Sequence, residues 1–399
     1  MYDLLNKKKI DYLVGNKEIF SKAIVPYDNI ICEFLGEFSN ELMRDKNSKQ
    51  YPDLITLGFW CRKQNIYNLK KKFLTNKTRV GLGLIFHITP SNIPTNFAYS
   101  LIFGLITGNS NIVKVPSKNF EQITIMCKIL KKILKKAKFN LLKKMICVVR
   151  YSENSEFTKK ISSICNARLI WGGNESIKNI RTFKLQERAI DIAFADRYSF
   201  CFIDSKKILK ASEYEINQLV LKFYNDTYLV DQNACSSPHL IVWFGKEMKK
   251  ARLRFWNLLN KIVEKKYNLP DLASIYKFNQ LCVNIIKFKN IKKQERFGNS
   301  IYTVILNDLD KNPDNLKGKW GFFYEFETSD LKKIAKFINN KYQTLTYYGL
   351  EKEKLKSFVL ENNLSGIDRI VPIGQALEIG LNWDGYDINS TLTRIVEIK

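Results

Sequence analysis

The spacing of apolar residues along the chain changes at about residue 79. Before that point, apolar residues recur at helical spacing, as in "NIICEFLGEFSNELM" and "LITLGFWCRKQNIYNLKKKFL", which predicts helices with a polar face. After it, short and almost wholly apolar runs alternate with longer segments. We therefore expect residues 1–78 to be mainly helical and the remainder to alternate between strands and helices.

Residues 79–195 predict a parallel sheet, because segments of helical length separate the apolar runs. The predicted strands are "RVGLGLIFHI", "NIVKV", "MICVVRY", "ARLIWGG" and "AIDIAFA". The predicted helices are "TNFAYSLIFGLITG", "NFEQITIMCKILKKILKKAKF", "NSEFTKKISSIC" and "NESIKNIRTFKLQER". Strands joined in this way run parallel, with helices on both faces of the sheet. The pattern predicts an α/β fold.

The alternation starts again at about residue 199, which predicts a second α/β domain. Strand "SFCFID" is followed by a helix, the polar turn "DQNACSSP", strand "HLIVWF" and the long helix "KEMKKARLRFWNLLNKIVEKK". Farther on lie the apolar run "SIYTVIL" and a predicted helix, "SDLKKIAKFINNKY". The last residues form a tail that is rich in Gly, Asp and Trp.

Composition agrees with a globular protein of two or three domains that share a cleft. The 399 residues are 45% hydrophobic and 13% aromatic, and no apolar run has the length of a bilayer span. The first residues lack the apolar core of a secretory signal. The eight Cys form no CxxC pair, which is typical of free thiols in a reducing compartment. We therefore predict a cytoplasmic protein without a membrane span.

The net charge raises the question of a polyanionic partner. Lys and Arg number 65 against 39 Asp and Glu, a formal net charge of +26. The excess is mainly Lys, is spread along the chain, and lacks the aromatic and basic interleaving of nucleic-acid modules. We therefore expect no specific nucleic acid and a basic surface that tolerates polyanionic cofactors. A non-catalytic polyanion-binding module stays open as an alternative.

Two polar turns carry candidate chemistry. Cys235 in "VDQNACSSPHL" has small residues on both sides, and such a turn can expose a thiol and aim backbone N–H groups at an oxyanion. A structural turn Cys is the alternative. Asn92 in "TPSNIPTN" follows a predicted strand, where the ligand-binding loops of parallel sheets gather. Its alternative is an amide that only satisfies backbone groups of its own turn.

Three stretches together resemble the aldehyde dehydrogenase superfamily. They are "ITPSNIPTNFAYSLIFGLITGNSNIVKVPS", "ARLIWGGNESIKNIR" and "DQNACSS". Within it the chain resembles most the acyl-CoA reductase branch typified by the fatty acid reductase of bacterial luminescence (LuxC-like), through "DRYSF", "DQNACSSPHLIVW", "GIDRIVPIGQAL", "WDGYD" and "TRI". The motifs run from about residue 79 to the end. The resemblance implies an aldehyde dehydrogenase-like α/β fold with two Rossmann-like domains, for cofactor and catalysis, and a small oligomerisation or bridging element.

This resemblance also implies a division of the chain. Residues 1–204 would hold the N-terminal helices and the dinucleotide-binding domain, with a bridging strand at about 76–88. Residues 205–372 would form the catalytic domain that carries Cys235. Residues 373–399 would be a tail that packs back on the cofactor and bridging region.

The resemblance further implies roles for individual residues. Cys235 matches the nucleophile that takes the acyl group from a thioester, and Asn92 matches the amide that forms the oxyanion hole with the Cys235 backbone N–H. Lys114 matches the lysine at the adenosine ribose. The turn that receives the cofactor diphosphate at a helix N-terminus matches Gly172, Gly173, Asn174, Glu175 and Ser176.

Two departures from the superfamily pattern are informative. Ala193 lies nearest the position of the Glu that activates water in hydrolysing aldehyde dehydrogenases, which fits an acyl-enzyme discharged by hydride. Ser117, followed by Lys118, stands where NAD-preferring relatives place a Glu for the ribose hydroxyls. Loss of a carboxylate and gain of a cation favour a 2′-phosphate. We therefore predict NADPH as the cofactor.

The remaining polar residues of the motifs are expected to be structural. His239, four residues after Cys235, and His87 are expected to be packed strand residues. For the charged residues we expect buried ion pairs; these residues are Asp196, Arg197, Asp368, Arg369 and Asp384. With two His and no spaced His/Cys set, we expect no metal site.

The sequence thus predicts an NADPH-dependent enzyme that reduces an acyl thioester, either acyl-CoA or acyl-protein, to the aldehyde through a Cys235 acyl-enzyme. The alternative within the same fold is a CoA-acylating aldehyde dehydrogenase that acts on a short or polar acyl group. The resemblance implies a homo-oligomer and, as for the luminescent relatives, an acyl-protein synthetase partner.

Overall fold

The computed structural model describes residues 2–3, 10–16, 18–19, 22–73, 77–152, 155–309 and 313–399. Three predicted elements thus have one end outside the described residues. They are the bridging strand predicted from residue 76, the helix predicted to end at 74 and the helix predicted to start at 154. The strands are β1 (Tyr2–Asp3), β2 (Asp11–Val14), β3 (Glu18–Ile19), β4 (Thr78–Gly81), β5 (Leu84–Ile88), β6 (Ser110–Val115), β7 (Ile146–Arg150), β8 (Ala167–Trp171), β9 (Ile190–Phe194), β10 (Tyr198–Asp204), β11 (Leu240–Phe244), β12 (Ile291–Phe297), β13 (Ile301–Leu306), β14 (Phe322–Thr328), β15 (Tyr342–Tyr348), β16 (Arg369–Pro372), β17 (Asn382–Trp383), β18 (Tyr386–Asp387) and β19 (Thr393–Val396). The helices are α1 (Asn29–Arg44), α2 (Pro52–Trp60), α3 (Lys63–Phe73), α4 (Asn96–Ile106), α5 (Glu121–Leu134), α6 (Asn140–Lys143), α7 (Ser155–Ile164), α8 (Asn174–Arg181), α9 (Ser205–Lys210), α10 (Glu213–Thr227), α11 (Met248–Lys266), α12 (Asp271–Lys287), α13 (Lys332–Ala335), α14 (Lys352–Glu361) and α15 (Ile388–Thr391).

The chain divides into two compact units. Unit 1 comprises Met1–Ala195 and Tyr386–Lys399, and unit 2 comprises Asp196–Gly385. Each contains a mainly parallel sheet with connecting helices, which confirms the predicted α/β fold. β10 lies between β11 and β15 in the sheet of unit 2, as the alternation that starts at about residue 199 predicts, whereas the division that the resemblance implies puts β10 at the end of the first domain. The predicted functional division of the chain stays a prediction.

The sheet of unit 1 has six strands in the order β2-β7-β6-β5-β8-β9. β5 to β9 are parallel to their neighbours, whereas β2 pairs antiparallel with β7. From β5 the chain builds the sheet outward through β6 and β7, and then returns to the other side of β5 for β8 and β9. The strand order therefore reverses between β5 and β8. In open parallel sheets, ligands bind at the carboxyl ends of the strands at such a switch point.

Helix α4 lies close to the sheet of unit 1 because of a glycine. All eleven residues of α4 are buried, and a Cβ at Gly104 would lie 1.7 Å from the carboxamide oxygen of Asn111 on β6. That oxygen is 2.9 Å from Nε2 of His87 on β5, whose Nδ1 is 2.7 Å from the Ser100 hydroxyl. Burial lowers the pKa of His87 to about 4. The ring is therefore neutral at pH 7 and packed, as expected from the sequence.

The C-terminal residues return to unit 1. β19 pairs antiparallel with β4, and Arg79 Nη1 donates to the Thr393 hydroxyl at 2.9 Å. The Tyr27 hydroxyl donates to the Asn389 carboxamide at 3.1 Å. A strand pair and side-chain hydrogen bonds thus hold the residues after 385 to unit 1.

The sheet of unit 2 has seven strands in the order β12-β13-β14-β11-β10-β15-β16. All neighbours are parallel except β12, which pairs antiparallel with β13. Alternate residues of β10 enter two different buried clusters, Phe200 and Phe202 one, and Cys201 and Ile203 the other. Because side chains of a strand alternate between faces, the sheet is buried on both faces. This is the environment that a continuous apolar run predicts.

Several elements differ from the sequence prediction. The region before residue 28 is not helical where it is described: Asp11–Val14 is β2, which pairs with β7 at the sheet edge. The segment predicted as one helix from residue 54 is two helices, α2 and α3, because the Asn65 side chain donates to the Trp60 carbonyl at 2.6 Å and ends α2 there. In the predicted helix "SDLKKIAKFINNKY" only α13 is α-helical, and its last residue, Tyr342, already belongs to β15.

Candidate active site

The predicted site residues of unit 1 lie at the carboxyl edge of its sheet. Asn92 is exposed on the loop after β5, Lys114 is the penultimate residue of β6, and the turn Gly172–Gly173 follows β8. Since β5 is hydrogen-bonded to both β6 and β8, the sheet brings these residues to one edge, at the switch point. Ser117 and Lys118 follow β6 and are exposed at the same edge.

The turn after β8 fits the diphosphate of a dinucleotide. Gly173 is the N-cap of α8, has an extended conformation and, as a glycine, has no side chain that could cap the first turn of this helix. A Cβ at Gly173 would meet no atom within 4 Å, so the approach to the N–H groups of the first turn is open. Such N–H groups and the helix dipole attract phosphate oxygens. The remaining residues of the predicted turn, all exposed, are Asn174, Glu175 and Ser176.

Cations gather at the ends of β6 and its neighbour β7. Lys114 is half-buried with its Nζ 5.0 Å from the centroid of the Tyr151 ring, and burial lowers its pKa. Lys118 is exposed on the following loop. Arg150, the last residue of β7, donates to the Asn119 side chain at 2.5 Å. Sequence reasoning missed Arg150, although its place at the end of the predicted strand "MICVVRY" was a usable signal.

Cys235 lies in unit 2 on the loop between α10 and β11, and hydrogen bonds hold the backbone of this loop. Asp231 and Gln232 have left-handed φ angles of 52° and 59°, which cost free energy for residues other than glycine. The Gln232 side chain offsets this cost. Its Nε2 donates to the carbonyls of Pro238 (3.0 Å) and of the first residue of β14 (3.1 Å), and its Oε1 accepts from the Gly321 N–H (3.2 Å).

Two serine hydroxyls fix the loop further. Ser199 on β10 donates to the Cys235 carbonyl at 2.6 Å, and Ser237 donates to the Asp226 carbonyl on α10 at 2.7 Å. The Ser237 N–H also bonds to the Ala234 carbonyl at 3.0 Å. The motifs "DRYSF" and "DQNACSS" are therefore in direct contact, and the strand beside β11 fixes the backbone of Cys235.

Cys235 is a half-buried residue, and its thiol touches a buried amide. Nε2 of Gln343, the second residue of β15, donates to Cys235 Sγ at 3.5 Å and to Asp384 Oδ1 at 2.8 Å. Burial and, next, the negative charge of Asp384 raise the pKa of the Cys235 thiol to about 11, whereas Gln343 and Arg197 act in the opposite direction. The thiol is therefore protonated at pH 7 in this structure. Sequence reasoning missed Gln343.

Arg197 binds two carboxylates of the C-terminal motifs. It pairs with Asp368 and, at 3.3 Å, with Asp384. It also donates to two backbone carbonyls next to and within β15, at 3.2 and 3.1 Å. The expected ion pairs are confirmed for these three residues, although of the two carboxylates only that of Asp384 is fully buried.

The expectation of buried ion pairs is wrong for two other residues. The Asp196 side chain is 64% exposed, and its contact with Lys317 is 3.8 Å long. Arg369 donates instead to three backbone carbonyls of residues 375–378, with its guanidinium 4.6 Å from the centroid of the Trp383 ring. The hydrogen bonds and the contact with the Trp383 ring satisfy the Arg369 guanidinium without a carboxylate. The Arg369 side chain therefore orders the loop after β16.

His239 is packed, as expected, but it lies immediately before β11 rather than within a strand. It is buried, its ring stacks on Tyr198 with centroids 5.6 Å apart, and burial lowers its pKa to about 3. Within the described ranges, no three His, Cys, Asp or Glu side chains are grouped so that they could hold a metal ion. In the same ranges, no helix is both long and apolar enough to cross a membrane.

Comparison with known proteins identifies the family. The profile of a family described as acyl-CoA reductase (LuxC) matches residues 64–397. The chain belongs to this family. The match includes all the site residues that the sequence predicts. A curated relative of this acyl-CoA reductase family member, the long-chain acyl-protein thioester reductase of Aliivibrio fischeri, is 23% identical over 304 residues, which are 73% of this chain and 58% of the relative. The chain thus spans less than two thirds of that relative's length.

Solved structures similar to this acyl-CoA reductase family member include aldehyde dehydrogenases. Aldehyde dehydrogenase 21 from Physcomitrella patens, in complex with the product succinate, has a TM-score of 0.62 at 10% identity, covering 92% of this chain and 85% of that one. An NAD-dependent benzaldehyde dehydrogenase from Corynebacterium glutamicum has a TM-score of 0.61 at 11% identity, covering 98% and 94%. These similarities confirm the predicted aldehyde dehydrogenase-like fold.

Proposed function

We propose that this acyl-CoA reductase family member reduces an acyl thioester to the aldehyde, through a Cys235 acyl-enzyme and with NADPH as cofactor. The observation that carries the proposal is the half-buried Cys235, held on a loop of fixed backbone with an amide donor at its sulfur. The name of the A. fischeri relative supports a long-chain acyl group on a protein as donor, and acyl-CoA is the donor in the family description. The homo-oligomer, the acyl-protein synthetase partner and the cytoplasmic location remain predictions.

In the proposed first step, Cys235 exchanges one thioester for another. Its sulfur attacks the acyl carbonyl carbon, the bond from that carbon to the donor sulfur breaks, and the donor leaves as a thiol that carries the proton of Cys235. Atoms and charges balance without water or an added oxidant. The oxyanion formed during the attack needs hydrogen-bond donors. For these we propose the Cys235 backbone N–H and the Asn92 carboxamide, as the family resemblance implies.

The residue at position 193 supports retention of the acyl group until it is reduced. Ala193 on β9 has no proton acceptor in its side chain, so it cannot be the general base that hydrolysing aldehyde dehydrogenases use against their acyl-enzyme. NADPH, when bound, supplies the hydride that converts the acyl group to the aldehyde. Release of the aldehyde returns Cys235 as a thiolate, which regains its proton from water.

Unit 1 is proposed to bind the cofactor at the carboxyl edge of its sheet. Lys114 would bind the adenosine ribose, and the turn Gly172–Ser176 would bind the diphosphate through the N–H groups that begin α8. Ser117 and Lys118 offer a hydroxyl and a cation, so a 2′-phosphate would gain charge-assisted hydrogen bonds there. Arg150 adds positive charge at the same edge. A ligand with three phosphate groups also suits a chain of net charge +26.

Intact-protein mass after incubation with acyl-CoAs of different chain lengths, in the absence of NADPH, tests the proposal. We expect one added acyl group on the wild type and none on Cys235→Ala. Cys235→Ser should be nearly unlabelled, because a hydroxyl provides far less anion at neutral pH. Cys282→Ala is the matched control, since Cys282 is also partly exposed, and it should be acylated like the wild type.

Two outcomes would contradict the proposal. Acyl labelling that persists in Cys235→Ala would show that another residue is the nucleophile. A wild type that accepts no acyl group from CoA or from an acylated carrier protein, yet binds polyphosphates tightly, would favour the polyanion-binding alternative.

A further inference from the structure

The contacts of Cys235 indicate what controls its ionisation. We propose that Gln343 and Asp384 are positioning residues for Cys235: the Gln343 carboxamide holds the sulfur and favours its thiolate, and the Asp384 carboxylate opposes that thiolate. This inference rests on the proposed function, because it concerns the residue proposed as the nucleophile. It goes further in assigning two residues to that site and a sign to each.

A chain of side chains leads from the sulfur to a guanidinium. Gln343 Nε2 donates to Cys235 Sγ at 3.5 Å and to Asp384 Oδ1 at 2.8 Å, and Arg197 Nη1 lies 3.3 Å from the same Asp384 oxygen. The Thr344 hydroxyl donates to Gln343 Oε1 at 3.3 Å. Only the nitrogen end of an amide can donate to a carboxylate and only its oxygen end can accept from a hydroxyl. The Asp384 carboxylate therefore fixes the orientation, with the N–H groups of Gln343 toward the sulfur; a hydroxyl can pair with either end of an amide, so the Thr344 contact agrees with this orientation without deciding it.

The backbone keeps this amide at the sulfur. The Ser199 hydroxyl donates to the Cys235 carbonyl at 2.6 Å and accepts from the Thr344 N–H at 3.2 Å. One oxygen atom thus joins the Cys235 loop to the start of β15. Gln343 is 1% exposed and Asp384 is 6% exposed, so bulk water screens their contacts little. Side chains that are buried and bonded in this way keep one orientation.

The charges around Cys235 come from three segments. Asp384 follows β17, Arg197 precedes β10, and Arg369 begins β16. A hydrogen bond donated to a thiolate favours it, and a nearby carboxylate disfavours it. The pKa of Cys235 follows this pattern, since Asp384 raises it and Gln343 and Arg197 lower it, after the larger effect of burial. Cys235 is in turn among the charges that act on the pKa of Arg369, which burial lowers.

The opposite signs of the two residues make the proposal testable without substrate. We would measure alkylation of Cys235 by iodoacetamide from about pH 7 to about pH 12, with peptide mass to separate Cys235 from the other thiols. Asp384→Asn should move the pH profile to lower pH, because it removes a negative charge that only the Gln343 amide separates from the sulfur. At a fixed pH we expect about tenfold more thiolate than in the wild type. Gln343→Leu should move the profile to higher pH by a similar factor. We would compare the pH at which each profile rises rather than the absolute rates, because alkylation rates also depend on the intrinsic nucleophilicity of the thiolate.

Asn284→Leu is the matched control for Gln343→Leu. Asn284 is a buried amide of the same unit that donates to the Tyr324 hydroxyl at 2.7 Å, so its loss should leave the profile of Cys235 in place. Gln343→Glu is the second substitution if the leucine variant does not fold. It replaces a donor with a carboxylate beside the sulfur and should move the profile to still higher pH.

The outcomes separate this proposal from the proposed function. Shifts of Asp384→Asn and Gln343→Leu in the same direction, or no shift in Asp384→Asn, would overturn the positioning roles. Opposite shifts support them even if Cys235 takes no acyl group, in which case the proposed function alone fails. Acylation of Cys235 with unshifted profiles would leave the function standing and overturn this inference.

Discussion

Replacing Gln232 by Ala tests whether a buried amide holds the Cys235 loop in place. The Gln232 side chain makes three hydrogen bonds, at 3.0, 3.1 and 3.2 Å, and is 1% exposed. A hydrogen bond of this kind contributes about 1 kcal/mol net, and a buried group left without its partner costs about 1 to 3 kcal/mol. Because alanine leaves two carbonyls and one N–H without partners, we expect the free energy of opening the loop to fall by about 3 kcal/mol.

Hydrogen–deuterium exchange in peptides that cover residues 226–240 measures that opening. A fall of about 3 kcal/mol corresponds to exchange about 150-fold faster, since 1.36 kcal/mol is a factor of ten. Gln218→Ala, at an exposed position of α10, is the matched control and should exchange like the wild type. Acceleration below about tenfold in Gln232→Ala would refute the reasoning, because water would then satisfy the groups that the amide leaves.

Three further predictions concern the oxyanion, the cofactor and pH. Asn92→Ala should slow turnover about 10² to 10³-fold with little change in melting temperature, the usual range for one lost oxyanion donor; turnover within a factor of a few would make Asn92 a turn residue. Ser117→Glu should lower the preference for NADPH over NADH by about tenfold or more in fluorescence titrations, because a carboxylate repels a 2′-phosphate; a wild type that binds NADH as tightly as NADPH would contradict the placement of the ribose site. The Asp226 carboxylate, which accepts from the N–H groups of Gly374 and Ala376 at 2.6 and 3.0 Å, has its pKa raised by burial to about 7. The folded state thus holds a proton that the unfolded state releases, so Asp226 should make the protein less stable as pH rises from about 4 to about 7. Asp226→Asn should weaken this dependence of the melting temperature, and an unchanged dependence would count against it.

Much of the fold could be predicted because the inner strands of both sheets are buried on both faces. Every residue of β5 and of β8 is buried, and such runs between segments of helical length are typical of the inner strands of a parallel sheet. Strand ends then fix where loops must lie, which is why the loops of Asn92 and Cys235 could be found without a structure. The spacing of residues in the two loops was equally compatible with side chains that only stabilise their own turns. The roles of the loops therefore came from motif resemblance.

The partners of Cys235 could not be predicted, because they lie far away along the chain. Gln343 is 108 residues from Cys235 and stands in β15, a largely buried strand that also contains two threonines, so nothing in its local sequence indicates a role at the thiol. β2 depends in the same way on its pairing with β7. Helix α12 was not predicted from the sequence for a different reason. It buries Lys277 and Asn284 while large apolar residues are exposed, the reverse of the usual helical arrangement.

The pairing of β4 with β19 has a consequence for synthesis of the protein. Unit 2 is one continuous segment, whereas unit 1 needs residues from both sides of it. Arg79 and Thr393, which hydrogen-bond in unit 1, are 314 positions apart. On the ribosome, all of unit 2 emerges before the last strand of unit 1 exists, and β4 keeps an unpaired edge until then. Since open strand edges template aggregation, chains that terminate shortly before β19 should aggregate more than chains that end after it, while both can contain a folded unit 2.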